Sequence, residues 1–177
     1  MEQVSGENYP DYIRQHVFAP AMMADSDPNN IPHATAMLVT PYTKLTQGGR
    51  SPDWHEAEHD LGSPAGGAIS TAEDLSRFAE ALRSGKLLTD RTFAAMIKPS
   101  PRAPAAYKYG YAMEINDVYG RAIVGHSGGF PGVNTELYIL LDSPYTVVVL
   151  ANLDPPAADY AGSKIVALMA EKTKSGQ

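Results

Sequence analysis

Two short clusters in this 177-residue chain hold residue types that can do chemistry at their observed spacing. The first is His55-Glu56-Ala57-Glu58-His59, an H-E-x-x-H arrangement that Gly62 extends to H-E-x-x-H-x-x-G. On a helix, histidines four apart share a face and can grip zinc while the glutamate activates water, which is zinc-peptidase chemistry. The surroundings oppose that reading. Pro52 and Gly62 leave little room for a helix, Glu58 puts charge where a zinc helix packs, and Ala65, behind Pro64, stands where the longer motif needs a third histidine. A solvated acidic loop is the better reading, and no metal site is expected. The second cluster, Gly125-His126-Ser127-Gly128-Gly129, matches the G-x-S-x-G nucleophile elbow. An elbow serine needs a histidine base later in the chain and a helix directly behind it. The histidines are His16, His33, His55, His59 and His126, so none follows Ser127. Phe130-Pro131-Gly132 leads into a strand-like run instead. What remains is the end of a strand and a glycine-opened turn.

The elements that would position these residues fall into two parts. Residues 1–99 read as a helical and loop region of lid character, and 105–177 as antiparallel strands with a C-terminal helix, together one partial domain. A short helix is expected from about Tyr9 to Phe18, closed by Pro20. From Ala24 to Pro64 periodicity is lost apart from Ala36 to Val39, which is the mark of a lid or binding region. Ser70-Thr71-Ala72-Glu73 reads as a capping box, and Leu75, Phe78, Ala79 and Leu82 follow at one-face helical spacing before Gly85 supplies a left-handed stop. Thr89 caps a second helix over Asp90 to Ile97. Tyr107 to Ile115, Tyr119 to Gly125, Val133 to Leu141 and Tyr145 to Leu150 are rich in β-branched and aromatic residues. Asn116-Asp117 and Asp142-Ser143-Pro144 offer turns, so an antiparallel meander is expected. Ile165, Leu168 and Met169 then mark a helix covering one face. The fold class is α+β.

Composition bounds the function classes. There are 14 basic and 20 acidic side chains, a net charge of −6, 44% hydrophobic residues and no cysteine. An acidic chain gathers no phosphate backbone, so nucleic acid is an unexpected partner. Lacking cysteine, the chain has no disulfide, thiol catalysis or thiolate-held metal. Met1-Glu2-Gln3 lacks a basic and apolar leader, so no signal peptide is expected at this end, and the compartment stays open. The longest apolar runs, Leu137 to Leu141 and Val147 to Ala151, fall far short of a membrane span, and no membrane partner is expected.

The succession Ser5-Gly6…Tyr9…Asp11-Tyr12-Ile13…Phe18-Ala19-Pro20, then Ala65-Gly66-Gly67-Ala68-Ile69-Ser70-Thr71, Asp74-Leu75…Arg77-Phe78, Tyr109-Gly110-Tyr111, Gly125 to Gly129, Pro131-Gly132 and Val148 to Asn152, resembles the serine β-lactamase-like hydrolases. These are the relatives of class C β-lactamases, D-alanyl-D-alanine carboxypeptidases, D-aminopeptidases and carboxylesterases. No single motif decides it; their order and spacing across most of the chain do. The resemblance implies the C-terminal part of the β-lactamase/transpeptidase-like fold, an antiparallel meander flanked by helices. It also implies acyl-enzyme hydrolysis of an ester, amide or D-amino-acid peptide, with no cofactor.

In that family a serine in S-x-x-K is acylated, a Y-x-N or S-x-N motif handles protons, and K-T-G or H-x-G lines the opposite wall. Only the third motif is present, as His126-Ser127-Gly128; no serine here has lysine three places on, and no tyrosine or serine has asparagine two places on. The chain therefore resembles roughly the C-terminal half of such an enzyme. By the resemblance His126, Ser127 and Gly128 bind substrate, His126 is a donor toward its carbonyl or carboxylate side, and the Gly129 amide is one of two oxyanion donors. The bland alternative makes Gly128-Gly129 a plain turn and His126 an ordinary strand histidine. Histidine in place of the lysine of most β-lactamases tilts the substrate toward esters, D-amino-acid amides or peptides. Met22 and Ala112 stand where the family usually has glycine. The expected partners are a small acyl substrate and either a complementary N-terminal half or a second copy joined at a sheet edge. A non-catalytic binding module is the alternative for the chain alone.

Overall fold

A computed structural model describes residues 1–28, 38–44, 63–103 and 108–175. Four strands, β1 (Glu114–Val118), β2 (Arg121–Phe130), β3 (Val133–Leu140) and β4 (Thr146–Ala151), pair antiparallel in chain order. Tight chemistry joins them. Val118 pairs with Arg121 across Tyr119 and Gly120, both at positive φ (53° and 78°), and the Gly120 amide donates to Asp117 Oδ1 at 2.8 Å. Two left-handed residues match the right-handed strand twist. The first turn therefore lies at Tyr119-Gly120 rather than the expected Asn116-Asp117, and β1 is shifted toward it. Phe130 pairs with Val133 across Pro131-Gly132. Gly125 to Gly129 is thus not a turn: β2 runs straight through it. Glycine serves close approach here, because a Cβ at Gly125 would lie 1.7 Å from the Leu137 carbonyl oxygen of β3.

Strand alternation sends two apolar sets to opposite faces. Val124, Leu137 and Ile139 meet the helix α4 (Ala72–Arg83) through Ala79 and Leu82, with α5 (Asp90–Met96) adding Phe93 and Met96. Ile123, Leu140 and Val147 meet Val166 and Met169 of α6 (Ala157–Ser175). Covered faces on both sides explain strands that are apolar throughout. The α6 stripe is Ala158, Gly162, Val166 and Ala170, while Ile165 and Leu168, expected to cover the sheet, are exposed. Small residues four apart let the helix lie close: a Cβ at Gly162 would come 3.2 Å from Glu136 Cγ and Tyr138 Cε2. Asn134 of β3 receives the start of this helix, its Oδ1 accepting the amides of Ala158 (2.6 Å) and Asp159 (3.3 Å).

The N-cap of α4 sits one residue later than expected, and its N3 carboxylate is turned to other donors. Thr71, not Ser70, is the N-cap, and its hydroxyl accepts the Asp74 amide at 3.1 Å. Asp74, fully buried, then accepts from the Asp25 amide (2.8 Å), the Ser26 hydroxyl (2.7 Å) and the Arg77 guanidinium (2.6 Å). Two of these donors come from almost fifty residues earlier, so the carboxylate pins the Asp25-Ser26 segment to the helix start. At the other end Gly85 (φ 74°) follows the last turn, as expected. Arg83 there donates to the carbonyls of Leu140, Pro144 and Tyr145, tying α4 to the β3–β4 turn.

The N-terminal region comprises α1 (Glu2–Ser5), α2 (Tyr9–Ile13), a π-helical turn (Arg14–Phe18) and α3 (Ala19–Ala21). Pro20 lies inside rather than closing the helix, because the π turn has already shifted the hydrogen-bond ladder where its missing N–H falls. The run stops at Met22, whose φ of 59° is left-handed. Asp154 accepts the amides of Gly132 (2.7 Å) and Lys44 (2.9 Å), clipping the 38–44 segment over the β2–β3 turn. The Lys44 amide, the Thr43 hydroxyl and the Gly132 amide hold its carboxyl below the usual range.

Candidate active-site wall

His126, Ser127, Gly128 and Gly129 lie consecutively on β2, past the point where β1 ends opposite Gly125. The register decides where their backbone groups point. The Val118–Arg121 pair flanks a two-residue turn and so exchanges both hydrogen bonds, and every second pair after it does the same. Odd-numbered residues of β2 therefore face β1, while even-numbered residues face β3. Beyond Gly125 the amides and carbonyls of Ser127 and Gly129 meet no strand partner on that side among the described residues. The bare edge ends in two glycines. At Gly128 a Cβ would come 2.5 Å from Thr135 Oγ1, and at Gly129 one would come 2.9 Å from Pro155 Cγ.

Side chains cluster on this edge. His126 is half exposed, 48% at the side chain, and both ring nitrogens are engaged. Nδ1 lies 2.6 Å from the Ser127 carbonyl, and Nε2 lies 2.9 Å from the Tyr109 hydroxyl. The two rings stand edge-to-face, centroids 5.7 Å apart. The Ser127 hydroxyl points to the other face and donates to Glu114 Oε1 at 3.2 Å, which is also 3.9 Å from His126 Nδ1. Tyr109 is delivered by a tight reversal: the Gly110 amide donates to Met113 O, the Tyr111 amide to Met96 O and the Ser100 amide to Tyr109 O. Gly110 is required there, since a Cβ would sit 2.2 Å from the Met96 carbonyl oxygen. Ala112 closes the reversal with φ 53°. Met22 and Ala112, standing where the resemblance expects glycine, thus both hold left-handed backbone.

Behind Ser127, its register partner Glu136 is 3% exposed against α6. Burial first, then its hydrogen bond to Asp159 and the charges of Asp159 and Glu114, push its carboxyl up to about 8 against a smaller opposing pull from Tyr138. Burial and the same acids raise the Tyr138 phenol as well. Tyr109 was within reach of sequence reasoning as part of Tyr109-Gly110-Tyr111. Glu114 and Glu136 were missed: nothing in an isolated acid on a strand says which face it takes.

His55 to His59 and His33 lie outside the described residues. Among the described residues no group of three or more histidines and acids is gathered for a metal.

The Beta-lactamase family model matches residues 1–170. The chain belongs to this family. Penicillin-binding protein 4* of Bacillus subtilis (strain 168) is 27% identical over 167 residues, covering 86% of this chain and 36% of that protein. The penicillin-binding protein from Bacillus halodurans superposes with a TM-score of 0.75 at 26% identity, over 96% of this chain and 51% of that one. The D-amino acid amidase from Ochrobactrum anthropi SV3, complexed with L-phenylalanine, shares the fold at a TM-score of 0.75 and 19% identity, over 98% and 53%. The chain spans between about a third and about half the length of these relatives. As a beta-lactamase family member it has the expected α+β fold, with the helix-flanked antiparallel sheet.

Proposed function

We propose that this chain supplies one wall of a serine acyl-hydrolase site of the beta-lactamase family, acting on an ester, an amide or a D-amino-acid peptide through an acyl-enzyme. The observation that carries this reading is the bare edge of β2. The Gly129 amide faces outward there, where it serves as one oxyanion donor, and His126, Ser127 and Gly128 line the approach. No S-x-x-K serine and no Y-x-N tyrosine occurs in these residues, so the nucleophile and base come from a complementary segment. His126, with the Tyr109 hydroxyl on one nitrogen and the Ser127 carbonyl on the other, offers hydrogen bonds where most β-lactamases place a lysine, and Glu114 adds a carboxylate beside it. The partner of the edge is this complementary segment or, failing it, a second copy.

The chain alone is expected to take no label from a fluorophosphonate probe and to give no saturable hydrolysis of p-nitrophenyl acetate or nitrocefin. Joined to a family segment bearing both missing motifs, it is expected to gain turnover, and His126→Ala to lower kcat/KM by about 10–10³-fold, the range for one positioned donor. Saturable turnover by the repurified chain alone overturns the assignment of the nucleophile elsewhere. Equal activity of the joined protein with and without the substitution overturns the role of His126.

A further inference from the structure

The Ser127 carbonyl can only accept, so the proton on the near nitrogen of His126 is fixed by chemistry: Nδ1 carries it. Glu114 Oε1, 3.9 Å from the same nitrogen, adds a negative charge on that side. In the neutral ring Nε2 is then an acceptor, and the group 2.9 Å away that can donate to it is the Tyr109 hydroxyl. The phenol also stands edge-to-face with the imidazole, interplanar angle 84°, which restricts rotation of the histidine ring. Tyr109 accepts the Ser100 amide at its own carbonyl, and its neighbours fix the segment, the Tyr111 amide donating to Met96 O at the end of α5 and the Ile115 amide of β1 to Lys108 O.

We propose that Tyr109 is the positioning residue of this wall: its hydroxyl donates into Nε2, keeps His126 in the Nδ1–H tautomer and holds the ring against the free edge of β2. The relay runs from the Tyr109 O–H to Nε2, and from Nδ1–H to the Ser127 carbonyl. It thereby occupies the carbonyl next to the Gly129 amide, so that a ligand at this edge meets a preformed imidazole instead of a mobile one. The functional meaning rests on the reading of His126 as a site wall, but the arrangement itself does not.

Long-range proton–nitrogen correlation spectra of the histidine rings test it on the chain as it stands, at a pH where imidazole is neutral. His126 is assigned by the signal lost in His126→Gln. In the unaltered chain His126 is expected with its proton on Nδ1 and with an Nε2 resonance displaced as for a hydrogen-bonded acceptor; a proton on Nε2 overturns the proposal. In Tyr109→Phe, which keeps the ring and removes only the hydroxyl, the ratio of Nδ1–H to Nε2–H is expected to fall roughly fivefold, the factor for one ordinary hydrogen bond, and the Nε2 displacement to vanish. Tyr111→Phe, the exposed neighbour, is expected to leave both unchanged. An unaltered His126 signal in Tyr109→Phe, or equal changes in both variants, overturns the assignment. No substrate or nucleophile enters this measurement, so its failure and the failure of the acyl-hydrolase reading are separate results.

Discussion

At the scale of the residue, Glu136 carries the clearest dependence on conditions. An ordinary glutamate ionises near 4.5, whereas this one keeps its proton up to about 8 because it is buried beside Asp159. Below the lower value both folded and unfolded chains hold the proton, and the site costs nothing on this account. Between the two values only the folded chain holds it, so stability falls as pH rises and the loss is complete above the upper value. Urea unfolding across that window is expected to show a decline on the order of a few kcal/mol, and Glu136→Gln to flatten it. Met22 and Ala112 allow a second test at this scale. Each holds a left-handed backbone with a side chain present, at a cost of about 1–2 kcal/mol. Replacing Ala112 by Gly relieves that strain but loosens the unfolded chain, and a net gain of up to about 1 kcal/mol in the urea midpoint analysis is expected. The two positions were legible only through the family resemblance. A propensity argument sees an ordinary alanine.

The elements were legible where one local rule decides and blurred where distant partners compete. α5 began at the expected Thr89 cap, its hydroxyl accepting from the Thr92 amide. For α4, Ser70 and Thr71 are both acceptable caps in sequence. The choice falls to Thr71 because Asp74 is claimed by Asp25 and Ser26, residues almost fifty positions earlier. The same holds for β2: glycines that read as a turn are strand residues, since the reason for their small size lies on β3. Asp74→Ala is therefore expected to act as more than a cap mutation. It removes the acceptor of the Asp25 amide and the Ser26 hydroxyl and leaves Arg77 only its bond to Glu73, and a loss of about 3 kcal/mol is expected in thermal or urea unfolding. The effect of Thr71→Ala is expected to stay near 1 kcal/mol, the usual size for a lost N-cap. Equal losses for the two variants would show that the buried carboxylate does not join the segments.

At the scale of the molecule, β4, and β1 beyond its bridge to Tyr109, are open edges among the described residues, and Ile165 and Leu168 add exposed apolar surface on α6. Unpaired edges template further strands. The chain alone is expected to self-associate at micromolar concentration in light scattering, and a cooperative-melting monomer would show that its sheet needs no partner. The overall class and the order of the strands were readable from β-branched and aromatic content and from the short turn-bearing connections. Which edge stays bare was not, because that depends on where β1 stops. Asn134 links this question to the rest of the fold. Its one amide group donates to the Gly128 carbonyl beside the site wall and to Asp159, and accepts the first amides of α6. Helix ends ordinarily fray ahead of the body they belong to. Here the beginning of α6 cannot come loose unless a side chain of β3 lets go, and that side chain also grips β2. Deuterium uptake at Ala158 and Asp159 should therefore keep time with the strands and not with the helix, making two backbone protons a clock for the opening of the wall.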